Sequence, residues 1–474
     1  MTTIVWFRQD LRVADHPALV AAAARGPVLP LFILDDVSRP TRWRIGGAGR
    51  WWLHHSLAAL RSDLPNLVLL QGDPGDVIAT LAKRANAGAV YWTRAHEPWA
   101  VEQEQRLATQ LEAHGVEARS FGGSLLNEPD DIVSGKGQPY TVFSAYWRAA
   151  RQRVVQDPLA APTLSLLQTS GLGDRLDDWN LRPTRPNWAS GWEKVWQPGE
   201  RGAKERLDAF VTGAIDGYAD LRNRPDREHT SRLSPHLHWG EISPRQIVAR
   251  IARAGLPSSP DVDKFLSELG WREFSSHVLH HHPDFADQHW RKGFDAYPYR
   301  ADPAALRAWR QGRTGYPFVD AGMRQLWQTG WMHNRARMVV ASFLVKHLRI
   351  DWRVGEAWFW DTLVDADLAN NATGWQWITG SGTDAAPYFR ILNPVTQGQK
   401  FDPAGAYIRR WCPELAQLPD SDIHAPFDAP PAVLLAASIE LGVTYPRPIV
   451  DHKPARDAAL AGFDAVKRAN AQQT

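Results

Sequence analysis

The stretch TIVWFRQDLRVADHPALVAAAARGPVLPLFIL, residues 3–34, decides the fold of the first part of the chain. It passes from a short β-rich run, TIVWF (3–7), through PALVAAAAR, with helical spacing, to a second β-rich run, VLPLFIL (28–34). The alternation continues: LVLL (67–70) and AVYW (89–92) read as strands, with GRWWLHHSLAALRSDL and GDVIATLAKRA as the helices between. Strands alternating with helices predict a parallel, Rossmann-like α/β domain over residues 1–128. The first strand is followed by RQDLRVADH, not G-x-G-x-x-G, so the turn that cradles a dinucleotide pyrophosphate is missing. This half is a poor nicotinamide site.

Residues 129–200 are rich in Pro, Gly and Asn and read as a long connection with one short helix near 141–155. Beyond 200, strand signals almost vanish. Helices are expected at 201–213, 244–254, 262–281, 303–311, 316–329, 331–349 and 354–363, giving an all-α domain over 201–474. Ser234-Pro235 and Ser243-Pro244 each read as an N-cap followed by the first helical position.

Composition sets the class. With 44% apolar and 22% charged residues, the chain is that of a folded protein. A single cysteine, Cys412, excludes internal disulfides and cysteine-based metal sites, which suits a reducing cytoplasm. No apolar run approaches a membrane span, and the N-terminus lacks the pattern of a signal peptide. A net charge of +2 means that any nucleic-acid contact must rest on locally clustered basic residues. The 23 tryptophans point either to a Trp-rich core or to stacked surfaces and redox-active rings.

Four constellations in the helical half carry chemistry. Thr230, Ser231, Arg232 and Ser234 set hydroxyls and a guanidinium ahead of a helix start, an arrangement suited to anions, although capping alone accounts for Ser234. In KFLSELGWREFSSHVLHHH (264–282), Glu268 and Arg272 share a helical face as an ordinary i,i+4 pair, with Trp271 at its edge. The run His280-His281-His282 gives adjacent positions that point in different directions, so no metal site is expected there. In GWMHNRARM (330–338), Asn334, Arg337 and Met338 lie on one stripe with Arg335 beside it, which calls for carboxylate partners such as those at 365–377. That last segment, DADLANNATGWQW, packs two carboxylates, two amides and two tryptophans into one short stretch.

Together with VWFRQDLRVADHPAL, GYPFVDAGMRQL, DWRVGE, TDAAPYFRILNP and YPRPIVDHKPAR, these segments closely resemble the photolyase/cryptochrome family, specifically its class I cyclobutane pyrimidine dimer photolyases. The likeness covers nearly the whole chain. It implies flavin adenine dinucleotide (FAD), folded into a U shape in the helical domain and active as the reduced anion. By motif matching, Tyr218, Thr230, Ser231, Arg232, Leu233 and Ser234 would cradle the diphosphate, and Arg272 would add positive charge. Arg337 would pair with Asp365 beside the flavin ring, Asp367 would touch the ring, and Asn371 would face its redox-active nitrogen. An amide suits that position because it can accept or donate.

The substrate implied is a pyrimidine dimer flipped out of DNA, with Trp271 and Trp377 as aromatic walls. Glu268 would hydrogen-bond the dimer, Asn334 and Met338 would line its pocket, and Arg222, Arg335 and Arg390 would grip phosphates. The family also re-reduces its flavin through a tryptophan chain: Trp375 matches the nearest ring, Trp352 the middle one, and Tyr299 stands where the outermost tryptophan usually is. Either Tyr299 ends the chain, or Trp309 or Trp290 takes over. The resemblance further implies a monomer with no obligate protein partner and an antenna chromophore of folate or deazaflavin type. For that antenna, Ala95 and Glu97-Pro98 match neither known binding pattern. The paired histidines of 6-4 photoproduct enzymes are absent, since His333 is followed by Asn334.

Overall fold

The structure is a computed structural model, in which residues 1–168, 171–384 and 389–472 are described. Residues 385–388 of the TDAAPYFRILNP motif therefore lie outside the described residues. The chain forms two compact units, each assembled from separated segments. The first comprises Met1–Asp216, Thr230–Pro283 and Val364–Ala369; the second comprises Gly217–His229, Asp284–Leu363 and Asn370–Thr474.

In the first unit, β1 (Thr2–Phe7), β2 (Val28–Leu34), β3 (Val68–Gln71), β4 (Ala87–Thr93) and β5 (Glu117–Phe121) form one parallel sheet, ordered β3-β2-β1-β4-β5. The crossovers carry α1 (Pro17–Arg25), α2 (Gly47–Asp63), α3 (Pro74–Arg84) and α4 (Pro98–Glu112). Central β1 pairs Ile4 with Leu29 on one side and Val90 on the other, and Ile4–Phe7 are buried. Covering both faces of a parallel sheet requires such apolar strands. This is the Rossmann-like arrangement expected. The sequence reading missed β5 because EARSF is a polar, half-exposed edge strand.

Two further groups of contacts fix the helical segments of this unit. Trp51, Trp52, Trp192 and Trp196 pack edge to face, 5.2 Å between Trp51 and Trp192 and 5.4 Å between Trp52 and Trp196, so much of the tryptophan excess is core. Leu11 N donates to Trp239 O at 3.0 Å, and the Arg12 guanidinium donates to Gly240 O at 2.8 Å. Gly240 sits at φ +65, where a Cβ would strike the Gln9 carbonyl. Only glycine makes this turn.

Most expected helices are present. Pro244–Arg253, Pro260–His281, Pro303–Arg310, Pro317–Thr329 and Trp352–Thr362 lie close to their predicted spans. The continuous helix expected at 331–349 is instead divided. It starts at Asn334, capped by the His333 ring accepting from Arg335 N at 3.1 Å, and widens to a π turn at Phe343–His347. Ser243 forms the expected cap, a full capping box with Gln246. Ser234 does not: Leu233 holds the cap position of the short helix Ser234–His238. The Ser234 hydroxyl is used elsewhere.

In the second unit, buried Asp320 organises the C-terminal segments. Its carboxylate accepts from Thr314 N and Oγ1 (both 2.7 Å), Gly315 N (3.1 Å) and Tyr445 OH (2.7 Å). These bonds satisfy a carboxylate that burial would otherwise penalise heavily. Among the described residues, no helix is long and apolar enough to cross a membrane.

Candidate functional site

In the first unit the loop Thr230–Leu233 turns through Arg232 at φ +49 before the helix Ser234–His238. Ser234 donates its hydroxyl hydrogen to Asp365 Oδ2 at 2.6 Å, and the Trp239 indole donates to Val364 O at 3.1 Å. The DADLANN segment is thereby held against the predicted anion loop. His238 is half-buried there, and desolvation pulls its pKa down to about 4 in spite of Asp367 and Asp365. Its Nδ1 is buried without a hydrogen-bond partner. An orphaned ring nitrogen beside two aspartates is the kind of polar atom that a bound polar cofactor satisfies. Burial and Asp367 also push the Glu97 carboxyl up.

The Glu268–Arg272 pair expected from spacing is not the one made. Glu268 meets Lys264 at 2.8 Å, while Arg272 donates to Ser124 O at 2.8 Å and reaches Leu237 O at 3.5 Å. Two backbone carbonyls outbid one half-exposed carboxylate, and Arg272 is directed towards the loop that carries Ser234. Trp271 lies face to face with Phe143, ring centres 3.8 Å apart and planes 9° apart, and Trp147 continues the stack 6.4 Å beyond Phe143. Sequence reasoning missed Phe143; the signal was the aromatic i, i+3, i+4 spacing of Phe143, Tyr146 and Trp147 in the expected short helix. Also missed was the pair Trp43 and Trp99, near-parallel at 15° with centres 6.4 Å apart, with Arg42 4.5 Å from the Trp43 ring and Arg39 6.0 Å from the Trp99 ring.

In the second unit, Arg335 lies within range of the charges of Arg390 and Arg222. Arg335 donates to Asn223 Oδ1 at 2.6 Å and lies 4.1 Å from the Phe401 ring centre. Its pKa is lowered to about 10, first by burial and then by the charges of Arg390 and Arg222. A guanidinium that burial and two neighbouring like charges disfavour is one that a nearby anion would stabilise. Arg222 also stands 5.7 Å from the ring of buried Tyr218. Asn334 is exposed at the helix start, Met338 is half-buried one turn on, and Arg337 donates Nε to Met332 O at 2.8 Å.

Asn371 donates Nδ2 to Glu356 O at 3.1 Å, which leaves its amide oxygen to act as an acceptor. Trp375 and Trp352 are buried, and neither indole N–H has a hydrogen-bond partner. Trp375 contacts Phe359 at 5.0 Å and Trp309 at 6.4 Å; Trp377 is half-buried. Tyr299 is half-buried, its hydroxyl oxygen lies out of solvent without a hydrogen-bond partner, and desolvation drives its pKa well upward. Between Tyr299 and Trp352 stands His289, a ring that the sequence reading did not single out.

Against known proteins, the profile described as DNA photolyase matches residues 3–163, and that described as the FAD binding domain of DNA photolyase matches residues 265–465. A deoxyribodipyrimidine photo-lyase of Agrobacterium fabrum is 48% identical over 98% of each chain. The chain belongs to the photolyase/cryptochrome family. Within that family, Cryptochrome-1 of Arabidopsis thaliana is 40% identical, covering 94% of this chain and 68% of the relative. A crystal structure described as a bacterial class III photolyase from Agrobacterium tumefaciens superposes with a TM-score of 0.95 at 47% identity, covering 98% of both chains. This photolyase-family chain therefore carries the family's FAD-binding domain.

Proposed function

We propose that the protein is a deoxyribodipyrimidine photo-lyase, a carbon–carbon lyase that splits cyclobutane pyrimidine dimers in DNA under blue or near-ultraviolet light. The observation that supports this reading is the 48% identity, over 98% of each chain, with a deoxyribodipyrimidine photo-lyase, beside a half-buried Arg335 that feels the charges of Arg390 and Arg222. FAD, when bound as the reduced anion, supplies light absorption and an electron that returns after the bonds split. The chain's own residues do the rest. Trp271, held flat by Phe143, offers a rigid aromatic wall to a flipped base pair, and Trp377 is assigned the same role by motif. Glu268 is assigned to hydrogen-bond the dimer. Thr230, Ser231, Arg232 and Ser234 are assigned to the diphosphate, Arg272, Arg337, Asp365 and Asp367 to charge around the flavin, and Asn371, by its oxygen, to a flavin N–H.

Likeness to the Agrobacterium tumefaciens structure favours class III over the class I placement drawn from motifs. A photoreceptor role is the second reading, favoured by the 40% identity with Cryptochrome-1. One experiment decides: reduced protein is illuminated with ultraviolet-damaged oligothymidylate, and the absorbance of intact thymines is followed. Recovery supports repair; none rejects it. For the antenna, we assign the Trp43–Trp99 pair, since two near-parallel indoles flanked by Arg42 and Arg39 offer aromatic faces and positive charge to a flat, acidic heterocycle. Loss of an extractable second chromophore in Trp43→Ala would support this. We take the protein to act as a monomer in the cytoplasm, its only cysteine, Cys412, being buried and reduced.

A further inference from the structure

We propose that Asp130, His280 and His281 bind a divalent transition-metal ion of the zinc class, a site separate from the flavin and DNA residues. The carboxylate comes from the 3-10 turn Pro129–Asp131, and the two imidazoles come from the last turn of the helix Pro260–His281. One ligand atom from each lies within 4.8 Å of the others, and His280 Nε2 is 3.1 Å from Asp130 Oδ1. A tetrahedral ion with bonds of about 2.0–2.2 Å holds its donors roughly 3.3–3.5 Å apart, so the three donors, already within 4.8 Å of one another, need close only by side-chain rotation.

The objection drawn from the sequence, that successive histidines face different ways, holds for three ligands taken from one helix. It does not hold here, because the third donor comes from another segment. The His280 and His281 rings stand 5.0 Å apart at 84°, so their edges converge on Asp130 without clashing. Asp130 is 75% exposed and His280 26%, which lets an ion enter with water to complete its shell. His281 Nε2 has only a long contact, 3.4 Å to Pro129 O, to give up. Beside the cluster, His96 packs edge to face on His280 at 6.1 Å, and neither of its ring nitrogens has a hydrogen-bond partner. Nitrogen plus carboxylate donors select borderline cations over calcium or magnesium. A bound ion would staple the turn Pro129–Asp131 to the helix that carries Glu268, Trp271 and Arg272.

The test uses untagged full-length protein, stripped with chelator, desalted, and equilibrated with Zn2+ at slightly alkaline pH. Wild type is expected to hold one more zinc per chain than the Asp130→Asn/His280→Ala double variant, and zinc is expected to raise the melting temperature of wild type alone. His281→Gln, which preserves side-chain bulk, is expected to weaken that zinc at least tenfold. Equal zinc content in wild type and double variant at every concentration, or an unchanged affinity in His281→Gln, would overturn the site. Flavin absorbance and circular dichroism report whether each variant is folded.

Discussion

The imidazole of His289 lies parallel to the ring of Tyr299, planes 1° apart and centres 6.2 Å apart, and also meets Trp352, tilted by 59°, at 5.8 Å. Parallel stacking keeps the imidazole nitrogens off the axis of the phenol O–H. Tyr299 thus has a ring neighbour for an electron but no acceptor for the proton that a phenol sheds on oxidation. Tyr299→Phe is expected to slow photoreduction of the flavin roughly tenfold, equivalent to about 1.4 kcal/mol of barrier. Repair by chemically reduced protein should be untouched. Transient absorption and single-turnover repair measure the two, and unchanged photoreduction would move the terminal role to Trp309 or Trp290.

His289 also makes the fold sensitive to acid. Burial, aided by Arg353 and Lys292, lowers its pKa from 6.5 to about 3. Between those values the unfolded chain takes up a proton that the folded chain refuses. The stabilising contribution is therefore complete above pH 6.5 and is lost as pH falls toward about 3, by at most about 1.4 kcal/mol per pH unit. His289→Phe should flatten this slope. Melting temperatures recorded from neutral pH down to about pH 4 should fall less steeply in the variant than in wild type; parallel curves would rule out His289 as a source.

Arg335 should act on DNA affinity through charge alone. Arg335→Ala is expected to weaken binding to damaged and undamaged duplex alike and to lower the salt slope by about one counterion. A variant whose slope matches wild type would show that Arg335 contacts no phosphate.

Phe143 should matter although it lies in the connecting segment. Phe143→Ala frees one face of Trp271 and removes a ring contact of about 0.5–1.5 kcal/mol. Affinity for a dimer-containing oligonucleotide is expected to fall roughly three- to tenfold, while flavin content stays at the wild-type level. Titration of wild type and Phe143→Ala with damaged oligothymidylate, against undamaged DNA as reference, is the check. A loss of flavin instead would assign Phe143 to the fold of the first unit.

Much of this was legible because local signals and tertiary need agreed. TIVWF and VLPLFIL could only be buried strands, and they are β1 and β2. Arg222, Arg335 and Arg390 could be singled out as candidate phosphate contacts because each sits in a recognisable motif. Where a residue had two uses, the local rule failed. Ser234 has the sequence of a helix cap, yet its hydroxyl goes to Asp365, 131 residues away. Glu268 and Arg272 are spaced for each other, yet one turns to Lys264 and the other to backbone carbonyls. The Phe143–Trp271 stack and the wedge of His289 arise from segments far apart in the chain or from loops without periodicity, and no pattern within a single element encodes them.

The bond from Tyr445 OH to Asp320 spans 125 residues and joins segments whose intervening chain must all be made first. On the ribosome the helix that begins at Pro317 emerges long before its last hydrogen-bond donor exists, and until then its carboxylate must stay in water. The first unit likewise waits for Val364–Ala369 although its sheet is finished by Phe121. Neither unit can close in the order in which it is synthesised. Nascent chains of this protein should thus pass through a long, partly open stage, in which chaperones and flavin supply govern yield more than the intrinsic speed of the sheet.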